Sequence, residues 1–556
     1  MTTFRAEPSN EGGNGQQSHG SATVWEATCD LLRRLGLTTI FGNPGSTEQL
    51  FLKQFPDDFT YMLALQEASA VAMADVYCQM VHHPVVVNLH TAAGTGNGMG
   101  NLIAAYENNT PLIVTAGRQT RQMLVHEPYL TNRDESVLPQ PWVKWSYQPA
   151  RPEDVPAAFM RAYAVAAQPP AGPVYLSIPL DDWDHAALGA ATVRTVAQRC
   201  VPDPERLAMF AERIGSAANP ALVFGPEVDR SGGWSAAVEL AEKLGVAVYQ
   251  APLSERASFP EDHDLYQGPL PMSIGPLSQR LAPHDLVLVL GAPVFRYYLY
   301  VAGPYLTEGT ELLHVTVNPA TAAAAIVGDS AVGDPALALQ ALIDLVEPDA
   351  NWSTPKPLAW SRALPAKPSS PLTPGEVYAA VSEVRPPGVV FVSESPSTMG
   401  QHAQWLPSTE PESFFASGSG GLGWGVPAAV GLAQAIRENG SNRPVVAIIG
   451  DGSFQYSVQA IWTAVQRGLP VIYLVLRNNA YAILKSFALL EDTPGVPGLD
   501  LPGLDIVSLA HGFGCRTAGA DTADELQQAF CAALFHDGPS VIVVPTQATL
   551  PDLGHT

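Results

Sequence analysis

The chain has 556 residues, with 53 acidic against 29 basic and a formal net charge of −24 at pH 7. That balance argues against nucleic acid or an anionic membrane as a partner, and the length calls for two to four domains. Five dispersed cysteines (Cys29, Cys78, Cys200, Cys515, Cys531) without a CxxC pair read as reduced thiols in a cytoplasmic protein, and no apolar run reaches transmembrane length.

Residues 1–20 are polar and glycine-rich, with no apolar h-region. They read as a disordered tail and not as a signal peptide. From Ser21 a helix over 22–35 leads to a short strand, TIFG, and then to NPGSTEQLF. The Pro44-Gly45 turn sets Ser46 at a helix start, where a serine commonly serves as N-cap. Glu67 follows a strand over 61–65 and opens an alanine-rich helix. There a carboxylate complements the helix dipole. Strand VVVNLH ends in His90 and the glycine-rich TAAGTGNGMG. Further strands in PLIVTAG and PVYLSIPLD complete one α/β domain over residues 21–190.

A second α/β region, 201–346, has strands in ALVFG, VAVYQAP, DLVLVLGAPVF and LLHVTVN. It holds no GxGxxG, so a bound dinucleotide is not supported. Residues 347–374 are Pro- and Ser-rich and read as an inter-domain linker. Residues 375–556 form the third region. Its centre is Gly450 to Asn479: an apolar strand, VVAIIG, breaks at Gly450-Asp451-Gly452, one amphipathic helix follows, and a second strand, VIYLVL, ends at Asn478-Asn479. This is a βαβ unit of a parallel sheet. It sets Asp451 and Asn478 at the carboxyl edge, where open α/β sheets bind ligands. A carboxylate, a side-chain amide oxygen and the backbone carbonyl of Ala480 suit a hard cation, Mg²⁺ or Ca²⁺, that shares phosphate oxygens. A helix starting near Ser453 offers its N–H groups to a phosphate. A plain sheet turn with Gly and Asp chosen for backbone geometry is the alternative.

GDG followed by NN resembles the diphosphate–metal motif of thiamine-diphosphate enzymes. The resemblance runs over nearly the whole chain, through FGNPGSTE, LALQEA, NLHTAAGTGNGMG, VKWSYQPA, GPVYLSIPLDDWD, GAPVFRYYLY, GGLGWGVPAA and VPGLDLPGLD. It is similar to the thiamine-diphosphate-dependent 2-oxo acid decarboxylases, in their benzoylformate-type form. The resemblance implies three α/β domains with mainly parallel sheets: pyrimidine-binding, middle and diphosphate-binding. It implies thiamine diphosphate with Mg²⁺ or Ca²⁺ as cofactors. It also implies a homodimer or homotetramer in which Glu67 and Asp451 meet across a subunit interface.

Residue by residue, the resemblance gives Glu67 the pyrimidine nitrogen, His90 the proton transfers and Ser46 the substrate carboxylate. It gives Gly420 the cofactor's amino group, and Leu422 the wedge that bends the cofactor. Ser397, Gly452, Ser453, Tyr456 and Tyr481 fall at the diphosphate, and Asp451, Asn478 and Ala480 at the metal. Tyr129, Leu130, Ile483, Leu484 and Phe487 fall at the substrate pocket, each with ordinary packing as its plain alternative. Four positions depart from the pattern. Tyr298 stands where the family has a second active-site histidine, and a tyrosine hydroxyl ordinarily titrates near 10, too high for a neutral-pH shuttle. Pro396 replaces a hydroxyl residue. Ile483 and Tyr129 replace an alanine and a leucine.

The implied reaction is non-oxidative decarboxylation of an aromatic 2-oxo acid to an aldehyde and CO₂ through a thiamine diphosphate ylid. A carboligase, or a decarboxylase for another 2-oxo acid, is the alternative enzyme. A catalytically silent relative is the alternative from another class.

Overall fold

The structure is a computed structural model that describes residues 22–131, 133–360, 362–551 and 553. The tail expected over residues 1–20 lies outside the described residues. Three six-stranded sheets organise the chain, and every strand pair within them is parallel. Parallel strands covered by helices on both faces have no wet side, which explains the continuous apolar runs. Val85–Leu89, Leu286–Leu290 and Pro220–Phe224 are buried throughout.

In the first sheet the strand order is Thr60–Leu63, Thr39–Gly42, Val85–Leu89, Leu112–Arg118, Val174–Pro179, Ser146–Tyr147. The chain leaves Thr39–Gly42 toward one side and Val85–Leu89 toward the other. The loops after these two strands therefore part, and a crevice opens at their carboxyl ends. Those loops carry Ser46 and His90. The third sheet repeats the layout: Phe414–Ala416, Val390–Glu394, Val445–Gly450, Val471–Arg477, Ser540–Pro545, Arg516–Gly519. Its crevice falls between the ends of Val390–Glu394 and Val445–Gly450, beside Ser397 and Asp451.

The middle sheet has a different order, Asp329–Val332, Glu311–Thr316, Leu286–Leu290, Pro220–Phe224, Ala247–Gln250, Tyr266–Pro269, and the crevice between the ends of Pro220–Phe224 and Leu286–Leu290 is filled. A Cβ on Gly225 would lie 2.3 Å from the Ala292 Cβ, and the Glu227 N–H donates to the Gly291 carbonyl at 3.0 Å. Backbone thus occupies the point where a nucleotide would sit, in line with the missing GxGxxG.

The first and third sheets share one hydrophobic core. Helix Glu67–Val81 lies against helix Gly425–Glu438 so closely that a Cβ on Gly431 would be 1.9 Å from the Met73 carbonyl oxygen. A buried polar seam runs along this contact. Asp75 accepts from Asn108 and from the Trp424 indole, at 2.8 and 2.7 Å. Gln79 donates to Asp75 at 2.8 Å and accepts from Arg256 at 3.2 Å. Arg256, only 1% exposed, pairs with Asp229 at 2.7 Å and lies over the Phe415 ring. Each charge is paired or multiply hydrogen-bonded, as burial requires.

Two expectations change in detail. The helix after Asp451 is two helices, Asp451–Tyr456 and Ala460–Arg467, broken at Ser457, whose hydroxyl donates to the Gly423 carbonyl at 2.7 Å. The stretch 347–374 is irregular but anchored. The Trp352 indole donates to the Ala217 carbonyl at 2.8 Å, and Trp352 and Trp360 pack on the middle core. No helix among the described residues is long and apolar enough to cross a membrane, and the five cysteines are unpaired.

Candidate active site

Two clusters form at the carboxyl edges of the first and third sheets. In the first, Gly45 caps a short turn, Ser46–Glu48, with Ser46 exposed at its start. The capping position is one residue earlier than the sequence suggests. His90 ends the strand Val85–Leu89 and caps helix Thr91–Glu107. A Cβ on Gly45 would touch His90 Nδ1 at 2.1 Å, so only glycine lets the Ser46 turn close over the ring. Thr91 is held at φ +47°. For a β-branched residue that conformation is strained, at a cost of roughly 1–3 kcal/mol, and such strain tends to mark functional geometry.

Glu67 opens helix Glu67–Val81 and is buried. Its Oε2 accepts from Asn97 at 3.1 Å. A Cβ on Gly94 would meet both Glu67 Oε1, at 3.1 Å, and His90 Cβ, at 3.4 Å. Glu67 and His90 therefore flank the same glycine, and the turn that carries Ser46 packs on the His90 ring.

In the second cluster Asp451 begins helix Asp451–Tyr456, two residues before the expected start, and is 2% exposed. Its two carboxylate oxygens accept the Gly452 and Asn479 N–H groups at 2.8 and 2.6 Å. Burial pushes its carboxyl above the usual range, and the backbone donors of Asn479, Gly452 and Asn478 oppose the shift. Asn479 turns the chain at φ +56°, a region asparagine tolerates. The Asn478 side-chain oxygen accepts from Ala480 N–H at 3.0 Å. The segment then zips onto 499–501 through Tyr481 N–H to Leu499 and Leu501 N–H to Asn479, bonds that leave the Ala480 carbonyl unused. Tyr481 covers Gly452, where a Cβ would meet its ring at 2.5 Å.

The donor set fits a divalent cation shared with a diphosphate. Among the described residues no group of three or more His, Cys, Asp and Glu side chains could hold a metal unaided. One carboxylate, one amide oxygen and one carbonyl need phosphate oxygens to complete a shell, which is how Mg²⁺ is usually held. The glycine-rich run 418–425 gives the space: a Cβ on Gly420, at φ +68°, would meet nothing within 4 Å. Gly420 and Leu422 lie on this run, Ser397 in the turn Pro396–Thr398, and Ser453 and Tyr456 on helix Asp451–Tyr456.

Glu394 holds that run in place and escaped the sequence reading. It is buried at the end of strand Val390–Glu394. Its carboxylate accepts the Gly423 N–H at 2.7 Å and the Gly425 N–H, with the Ser453 hydroxyl as a further donor. Burial lifts its carboxyl to about 7 against those donors. Its only sequence signal is an acidic residue closing an apolar strand. Glu48 and Asn97 were missed for the same reason: their partners lie on other elements.

The pocket candidates divide. Ile483, Leu484 and Phe487 lie on helix Ala482–Leu490. Phe487 meets Tyr298, from the loop after strand Leu286–Leu290, edge-on at 5.3 Å. Tyr129 is 88% exposed and Leu130 sits at φ +62°, on a loop of the first region. No ring contact joins Tyr129 to that helix among the described residues.

Comparison with known proteins places this geometry. Models of the N-terminal thiamine pyrophosphate binding domain, the central domain and the C-terminal thiamine pyrophosphate binding domain match residues 22–136, 207–342 and 398–544. A benzoylformate decarboxylase of Pseudomonas aeruginosa is 45% identical over 534 residues, 95% of this chain and 100% of that protein. The crystal structure of benzoylformate decarboxylase from Polynucleobacter necessarius superimposes with a TM-score of 0.93 at 50% identity, covering 95% and 99% of the two chains. A thiamine diphosphate-dependent 4-hydroxybenzoylformate decarboxylase of Rhodococcus jostii RHA1 gives 0.91 at 40%, covering 96% and 100%. With all three domains matched in order and a near full-length relative at this identity, the chain belongs to the thiamine pyrophosphate enzyme family.

Proposed function

We propose that this chain decarboxylates an aromatic 2-oxo acid of the benzoylformate type, releasing CO₂ and an aldehyde. The observation that carries the reading is that Glu67 and His90 flank Gly94 at the carboxyl edge of the first sheet, with the Ser46 turn packed on the His90 ring. It is supported by the names of the relatives.

Thiamine diphosphate, when bound, supplies a nucleophilic carbon and the electron sink that lets CO₂ depart. Glu67, whose buried carboxylate Asn97 orients, would hold the pyrimidine ring nitrogen. The Ser46 hydroxyl donates to the substrate carboxylate and aligns the bond that breaks. His90 takes and returns the protons that the addition and the release of aldehyde require. Asp451, Asn478 and the Ala480 carbonyl would hold Mg²⁺ or Ca²⁺ together with the diphosphate. Glu394 sets the glycine run that faces the cofactor. Ser397, Ser453, Tyr456 and Tyr481 would contact the diphosphate. Ile483, Leu484 and Phe487 bound the substrate's ring, and Tyr129 and Leu130 reach this pocket from a second copy in a homodimer or homotetramer.

Tyr298 favours one second reading. A phenol in place of a histidine would deliver protons to the reacting carbon more weakly at neutral pH. That would favour carboligation with an aldehyde, or a different 2-oxo acid.

The test is CO₂ and aldehyde release from benzoylformate by the enzyme loaded with Mg²⁺ and thiamine diphosphate, alongside Glu67→Gln. Release should fall at least about 100-fold in the variant, the scale of a lost proton-transfer partner. Cofactor binding with no release from any 2-oxo acid tested would reject the reading.

A further inference from the structure

We infer that Glu48 is the positioning residue for His90: its carboxylate keeps the proton on Nδ1, so that Nε2 faces the substrate. This rests on the proton-handling role of His90 proposed above.

A count of donors makes the assignment. Glu48 Oε1 accepts the Gly117 N–H at 2.9 Å and the Thr47 hydroxyl at 2.7 Å. Glu48 Oε2 accepts the Gly45 N–H at 2.9 Å. His90 Nδ1 lies 2.9 Å from the same Oε2. A carboxylate that already receives three donors acts as an acceptor, so the proton on this fourth contact comes from the ring. Thr47 Oγ1 also lies 3.1 Å from Nδ1. Its single proton is directed to Glu48, so toward the ring it can only accept. Both contacts therefore demand Nδ1–H, and Nε2 carries the lone pair. Glu48 is 1% exposed, which keeps water from competing for these bonds.

The surroundings fix the ring as well as its proton. Gly45 brings the Ser46 turn onto the imidazole, and Thr91 holds its strained conformation directly after it. The other ionisable groups facing the pair are Glu67, which shares Gly94 with the His90 Cβ, and Tyr61, whose phenol is pushed up by burial and by Glu48.

The chemistry is that of an orienting carboxylate. Neutral His90 takes a proton at Nε2. The imidazolium returns it from the same atom. Glu48 faces Nδ1–H throughout and takes no proton itself, the logic by which a buried acid sets a histidine's tautomer in hydrolytic triads.

Magic-angle-spinning NMR of the ¹⁵N-histidine-labelled holoenzyme, with His90→Ala locating the signal, reads the tautomer directly. At a pH where the ring is neutral, a protonated Nδ1 and a bare Nε2 are expected; the reverse overturns the inference. Glu48→Gln is the second arm. Either orientation of its amide sets an NH₂ against the Gly45 or the Gly117 N–H. We expect kcat to fall at least about tenfold, the scale of a lost orienting partner, with an altered pH profile of kcat and unchanged thiamine diphosphate affinity. A wild-type kcat and pH profile in this variant would overturn the inference. A His90→Ala enzyme with wild-type kcat would instead sink the proton-handling role of His90 and leave the tautomer result standing, so the two failures are distinguishable.

Discussion

Tyr298 and Phe487 meet edge-to-face at 5.3 Å, with planes 77° apart, and so join the middle sheet to helix Ala482–Leu490. Tyr298 is 62% exposed and its backbone N–H donates to the Met272 carbonyl at 3.0 Å. The ring is placed by packing and backbone, and among the described residues its hydroxyl has no hydrogen-bond partner.

This arrangement separates the ring's role from the hydroxyl's. Tyr298→Phe keeps the aromatic pair, worth about 0.5–1.5 kcal/mol, and should change KM little. Tyr298→Ala removes the pair and should raise KM for an aromatic 2-oxo acid roughly 3- to 10-fold, the equivalent of that energy. Steady-state kinetics decide it, and equal KM values in the two variants would reject a packing role at the pocket.

Gly452→Ala tests the cofactor crevice. The new methyl would lie 2.5 Å from the Tyr481 ring and 3.1 Å from Leu501 Cδ1. Tyr481 must move, and overpacking of this kind costs about 1–3 kcal/mol. Thiamine diphosphate affinity, measured by calorimetry with Mg²⁺ present, should weaken about 5- to 100-fold while the apoprotein stays folded.

Glu394→Gln replaces an acceptor of several donors with a group that has one oxygen. The Gly423, Gly425 and Ser453 donors cannot all be satisfied. A buried donor left unpaired costs about 1–3 kcal/mol. Cofactor affinity should drop, while kcat at saturating cofactor changes less. The opposite pattern would mean that Glu394 acts on the chemistry and not on the loop.

His402 sets an acid limit on stability. It is buried among Tyr378, Phe391 and Phe414, and neither ring nitrogen has a hydrogen-bond partner among the described residues. Burial and the nearby Arg385 charge lower it to about 3. The unfolded chain binds this proton near 6.5, so the stability from the neutral ring is full above that pH and is lost as pH falls toward 3. His402→Phe should narrow the loss in urea midpoint between pH 7 and pH 5. An unchanged loss would assign the acid limb to other groups.

The sheets were legible because a doubly covered parallel strand is an apolar run, and Val85–Leu89, Val445–Gly450 and Val471–Arg477 carry that signature. Short edge strands such as Ser146–Tyr147 have no run to detect. The break at Ser457 was hidden because the residues on both sides keep helical spacing, and only the hydrogen bond to Gly423 reveals it. His90, Glu67 and Asp451 could be read because each ends or follows a strand. Glu48 and Glu394 could not, since what defines them is a set of backbone donors converging from distant parts of the chain.

The seam from Asp75 through Gln79 to Arg256 bears on how such chains can be recombined. Its members come from residues 75–108, 229–256 and 415–424, one stretch near each of the three sheets. A chimera that exchanged one sheet with a relative would inherit half of a buried charge network and bury the remainder unpaired. Crossovers cut at domain boundaries should fail unless the seam travels as a set, so the unit of exchange here is a scattered group of side chains and not a domain.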